Sequence, residues 1–133
     1  MTTNQWPESA ANAVAAIEGF MAALNAHDDA ALLGLLHLPH VRISGAGVAI
    51  WHDLAELEAT YLRDFYQRAG PEWHHTILDS TDVLHSSERK VHVLIQFTRC
   101  DAQGAPIATY RSLWIMTEDD GQWGAQARSS FAP

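Results

Sequence analysis

A single cysteine, Cys100, stands in the chain of 133 residues, which excludes an internal disulfide and leaves too few thiolates for a zinc-ribbon site. A reducing compartment is the simplest setting. Basic residues are scarce as well. Against 16 Asp and Glu there are 8 Lys and Arg, giving a formal charge of -8 with no basic run, so a phosphate backbone would be repelled and nucleic-acid binding is not expected. No apolar run is long enough to span a bilayer, and Met1 to Ser9 carry no basic cluster leading into an apolar core. Neither a signal peptide nor a membrane partner is therefore expected, and cytoplasmic residence follows by default. Linkers, internal repeats and low-complexity tracts are also missing, so the expectation is one domain over residues 1–133.

What is present describes an ordinary globular chain, with 47% apolar and 18% charged residues. The charged share is slightly low, as it is where some surface is buried against a second copy. From Pro7 to about Ala26, Val14, Ile17, Met21 and Leu24 recur at helical spacing with Phe20 widening the stripe, which predicts a first helix. Asp28 is placed to cap a short second helix, stopped by Pro39. Val41 to Ser44 alternate as a strand and return through Gly45 and Gly47 into Val48 to Trp51. Asp53 and Glu56 resemble a capping box for a third helix bearing Leu54, Leu57, Tyr61 and Phe65, ended by Gly70-Pro71. After Pro71, four segments of roughly ten residues, rich in β-branched and aromatic residues, are separated at Ser86-Ser87-Glu88, Asp101 to Gly104 and Asp119-Asp120-Gly121. They predict long antiparallel strands, and so an α+β fold with helices gathered on one face of a sheet that curls into a cone.

The stretch from Phe20 to Leu33, and the ending from Tyr110-Arg111-Ser112-Leu113-Trp114 through Gly121-Gln122-Trp123-Gly124 to Phe131, resemble the nuclear transport factor 2-like superfamily, in particular its SnoaL-like branch and an uncharacterised bacterial subgroup. The resemblance covers nearly the whole chain. It implies a cystatin-like fold, a cone of about six antiparallel strands around three N-terminal helices. It does not transfer an activity, because the superfamily holds isomerases, dehydratases, cyclases, oxygenase subunits and non-catalytic binding domains.

Eight His in the chain make imidazole the leading proton carrier by count. His40 precedes the first strand, where isomerases of that superfamily place a carboxylate base; neither it nor its neighbours are acidic. Along the strand from Trp73, one face carries Trp73, His75, Ile77 and Asp79, the other His74, Thr76, Leu78 and Ser80. With the first face inward, His75 and Asp79 would address one ligand. Gln126, Arg128 and Ser130 form a polar row on the last strand, and an Arg in a cavity would want a carboxylate, a ligand's or that of Asp79. Tyr110, Ser112, Trp114 and Met116 share a face that suits an apolar pocket, a core or an interface. Phe20, Trp51 and Tyr61 complete the expected walls. No metal is expected, because Pro39 blocks helical pairing of His37 with His40 and the pleat splits His74 from His75.

The resulting expectation is a small-molecule-binding domain without a cofactor, taking a small hydrophobic compound with a carbonyl or carboxylate. If catalytic, it would work by acid–base chemistry, with His40 or His75 moving the proton, Asp79 orienting it and Tyr110 or Arg128 holding an oxyanion. The alternative is a non-catalytic homodimeric interaction module anchored by Trp114, Met116 and Phe131.

Overall fold

The computed structural model describes residues 6–133, so the expectation for the first five residues lies outside it. Helix α1 (Pro7–Asn25) starts on a proline, whose fixed φ and missing N–H suit a first turn. It buries Ile17, Phe20, Met21 and Leu24, while Ala13, Ala16 and Ala23 let its backbone lie close to the sheet. At its end the Asn25 carboxamide pairs both ways with the backbone of Thr76, each bond at 2.8 Å. Helix α2 (Asp29–Gly34) is capped by Asp28, whose Oδ1 accepts from the Ala31 N–H at 3.2 Å.

Strand β1 (Leu36–Ser44) begins before Pro39 and not after it, and β2 (Gly47–Trp51) returns antiparallel through Gly47 at φ 128°. Residues 54–69 then run as α3 (Leu54–Glu56), a π-helical turn (Leu57–Tyr61) and α4 (Leu62–Ala69). Asp53 accepts from the Glu56 N–H at 2.9 Å, and the Glu56 carboxylate reaches back to the His52 N–H at 2.7 Å, one residue upstream of the usual reciprocal partner. Gly70, at φ 89°, ends the run.

Strands β3 (His75–Ser86), β4 (Lys90–Cys100), β5 (Pro106–Asp119) and β6 (Gln122–Ser130) form the predicted meander. Between β5 and β6, Asp120 at φ 51° and Gly121 at φ 79° make the left-handed pair that a two-residue hairpin needs. The six strands make one curved, unclosed sheet in the order β2-β1-β6-β5-β4-β3. It is not wholly antiparallel, because β1 and β6 pair in parallel. The β1–β2 hairpin and the meander are each antiparallel within themselves, and the helical crossover between them allows this parallel seam.

The inner face carries Val91, Val93, Ile95 and Phe97 of β4 and Ser112, Trp114 and Met116 of β5, all buried against the helices. Two strands differ from expectation. On β3 the face of Thr76 points inward, since Thr76 is buried and Ile77 exposed; the Asn25 clamp holds that register, and apolar residues on both faces had left it undetermined. On β6 a bulge sets Ala127 opposite Ile115 but Ala125 opposite Met116, so the strand changes face at Gln126. Ala125, Arg128 and Ser130 consequently lie inside together.

Candidate functional site

Between the inner face of the sheet, α1 and residues 61–68 lies a cavity of about 40 Å³. Phe20, Met21 and Leu24 of α1 supply one apolar wall and Phe65, Phe97 and Trp114 another, with Thr76, Ser112 and Ser130 contributing hydroxyls. Four arginines enter it, Arg42 from β1, Arg68 from α4, Arg99 from β4 and Arg128 from β6. Arg42, Arg99 and Arg128 are only 7%, 5% and 8% exposed. No Asp, Glu or His is among the lining residues, and none of the four arginines forms an ion pair within the described structure.

Neutral groups hold these cations. The Arg128 Nε donates to His40 Nε2 at 3.2 Å, and His40 Nδ1 bonds the Ala125 carbonyl at 2.9 Å, which assigns its proton to Nδ1. His40 is wholly buried, and burial followed by the neighbouring Arg128 charge lowers its pKa from 6.5 to about 3. Both its nitrogens are therefore committed at neutral pH, and it serves as a hydrogen-bonded bracket for Arg128. The Arg128 guanidinium lies 5.3 Å from the ring centres of both Tyr61 and Trp114. Trp51 secures the back of this group, donating its Nε1–H to Thr60 at 2.8 Å and packing edge-on against Tyr61 at 5.2 Å.

Arg99 sits among the rings of Phe65, Phe97 and Tyr110 at 5.4 to 5.8 Å. Arg42 donates to the Ala132 carbonyl at 3.0 Å; burial first, then the nearby Arg68 and Arg128, push its pKa down to about 10. Burial likewise lowers Arg68 and Arg99, against the raising influence of tyrosine neighbours. Guanidinium groups nonetheless stay protonated throughout the physiological range. Four buried donors at the cavity, Arg68 Nε, Arg99 Nε, Arg128 Nη2 and Trp114 Nε1, have no hydrogen-bond partner in the described structure. A buried donor without a partner costs about 1 to 3 kcal/mol, more when charged, so this set suits an acceptor-only guest such as a carboxylate.

The expected site residues divide. Phe20, Tyr61, Trp114 and Arg128 meet at the cavity, with Trp51 and His40 directly behind them and Tyr110 beside Arg99. His75 and Asp79 lie elsewhere, because β3 turns that face outward: Asp79 accepts from Thr98 Oγ1 at 2.6 Å in solvent, and the His75 ring meets the His74 ring, Nδ1 to Nδ1 at 3.0 Å. Arg128 thus has no contact with Asp79. Arg42, Arg68 and Arg99 were not among the expected residues. For Arg99 a signal existed, since it continues the alternation Val91, Val93, Ile95, Phe97 on the apolar face. Among the described residues no group of three His, Cys, Asp or Glu is placed to hold a metal, and no helix is long and apolar enough to cross a membrane.

No family model and no curated protein matches the chain. Solved structures do. A Nostoc punctiforme protein of unknown function with a cystatin-like fold superposes with a TM-score of 0.72 at 10% identity, over 92% of this chain and 89% of that one. A ketosteroid isomerase-like protein from Erwinia carotovora atroseptica gives 0.67 at 21% identity, over 91% and 93%. An NTF2-like protein from Cytophaga hutchinsonii gives 0.66 at 17% identity, over 90% and 94%. The chain has the cystatin-like, nuclear transport factor 2-like fold that its sequence led one to expect. Identities of this size carry the fold and no finer relationship.

Proposed function

We propose that this is a small-molecule-binding domain whose internal cavity takes a compact organic carboxylate. The observation that carries the reading is three almost fully buried arginines, with a fourth beside them, facing one cavity without a carboxylate of the chain's own. An arginine so placed costs stability unless an anion meets it, and the planar guanidinium fork matches a carboxylate in a bidentate pair. The aromatic and aliphatic walls would receive the ligand's apolar part. Binding is favoured over turnover. An isomerase reading borrowed from the Erwinia protein needs a proton acceptor, and the lining residues of the described structure include no Asp, Glu or His.

The test is titration calorimetry with small carboxylates such as butyrate and benzoate, with their amides as controls. Saturable binding of acids but not amides, weakened at least about tenfold in Arg128→Gln, is expected. Equal behaviour of acids and amides would overturn the reading.

Pairing of two copies is a compatible second proposal. Val41, Ile43, Val48 and Ile50 share the outer face of the edge hairpin, and the last three are exposed. Such an apolar strip suits a partner copy. A dimer by light scattering that Val48→Lys turns monomeric supports it, and a monomer at micromolar concentration sinks it.

A further inference from the structure

Resting on the anion-binding reading above, we infer that the ligand is a dianion, a short dicarboxylate held at both ends along strand β5. Four guanidinium groups face the cavity, and one carboxylate would leave most of that charge uncompensated. Three of the four donors without partners also fall into two places. At one end, the Arg99 guanidinium lies 5.4 Å from the Tyr110 ring, and its Nε is free. At the other, Arg128 lies 5.3 Å from the Trp114 ring, and both Arg128 Nη2 and Trp114 Nε1 are free. The second cluster is tied together by the sheet, because Trp114 and Arg128 are cross-strand partners.

Strand β5 works as a ruler between them. Tyr110, Ser112 and Trp114 alternate onto one face, and Ser112 lines the cavity midway. Tyr110 and Trp114 stand about 13 Å apart along the strand, and the two guanidinium groups beside them line one small cavity, so a diacid of four or five carbons is of the size to reach both. A cavity of about 40 Å³ agrees with a guest of few atoms. Arg68, entering from α4 with its own unpaired Nε, adds a further donor.

Calorimetry on the whole chain with malonate, succinate, glutarate and adipate, and with butyrate, valerate and inorganic phosphate, tests this. Succinate or glutarate is expected to bind at least about tenfold tighter than the monoacid of equal carbon number, with affinity falling for malonate and adipate. In Arg99→Gln that ratio should shrink to about threefold or less. If this variant fails to fold, the wild-type series decides alone. Equal affinity for mono- and diacids, an unchanged ratio in Arg99→Gln, or phosphate binding as tightly as the best diacid would each overturn the two-ended ligand while leaving an anion site intact. Failure of every carboxylate would overturn the binding proposal itself.

Discussion

The arginines on the surface and those in the interior keep opposite company. Arg89 donates to the Glu118 carboxylate at 2.7 Å and Arg63 lies 3.2 Å from Asp64, both in solvent. Arg42, Arg99 and Arg128 are buried, and they meet backbone carbonyls, aromatic faces and a neutral imidazole. The chain has 16 acidic residues, so a shortage of carboxylates does not explain the difference. Where water already stabilises a cation, this fold provides a counterion; where burial makes one most needed, it withholds it. That inversion is hard to justify by stability and straightforward to justify by a site kept ready for a guest's negative charge.

The strongest way to break the contrast is through His40, which stands where a carboxylate would stabilise Arg128 directly. A histidine held near 3 in the folded chain and near 6.5 in the unfolded one leaves the unfolded chain alone binding the proton between those values. Its contribution is complete above about pH 6.5 and is lost as the pH falls toward 3, a total of about 5 kcal/mol. The groups that face it are Arg128 from β6, His37 from its own strand, and the rings of Trp51 and Tyr61. In His40→Gln the carboxamide can still donate to Ala125 and accept from Arg128 but does not titrate. Urea unfolding should show wild type losing about 2 kcal/mol more than the variant between pH 6.5 and 4.5. Equal losses would mean that His40 is not held neutral by its surroundings.

Arg99 sharpens the contrast with a smaller effect. Its guanidinium is buried among three rings without a carboxylate, so Arg99→Met should fill similar space, remove the desolvated charge and raise stability by about 1 to 4 kcal/mol. The same change should abolish the preference for diacids. A gain in stability joined to a loss of binding marks a functional residue. A variant less stable than wild type would show that contacts with Phe65, Phe97 and Tyr110 outweigh the cost of burying the charge.

How much of this was legible depended on whether a pattern was local. The meander and its turns could be read, because Asp120-Gly121 and Asp101 to Gly104 carry their conformations in their own residue types. Trp114 and Ser112 were placed on one face by alternation alone, and the structure keeps them together. The face of β3 could not be read, since it is decided by Asn25, 51 residues away, grasping the backbone of Thr76. Nor could the bulge at Gln126, which brings Arg128 inside beside Ala125 on a strand paired with both β1 and β5. On β1 the usual rule is inverted: His40 and Arg42 are buried while Ile43 is exposed, so hydrophobic alternation pointed away from the site. Residues that serve a cavity are those for which burial and polarity disagree, and a pattern built on their agreement passes over them.

The smallest effect lies on the surface. Arg89 is two-thirds exposed and its pair with Glu118 bridges the β3–β4 turn to the end of β5, while Glu118 Oε1 separately accepts from the Gly121 N–H at 2.7 Å. An exposed pair is screened by water and salt, so most of its Coulomb energy is already supplied by solvent. Arg89→Met should therefore leave the melting temperature without measurable change at physiological salt, and leave carboxylate binding as it was. Glu118 would keep its bond to the turn, so the hairpin should hold. Equal effects of Arg89→Met and Arg99→Met on both melting and binding would erase the distinction between the two kinds of arginine, since it rests on burial and not on charge.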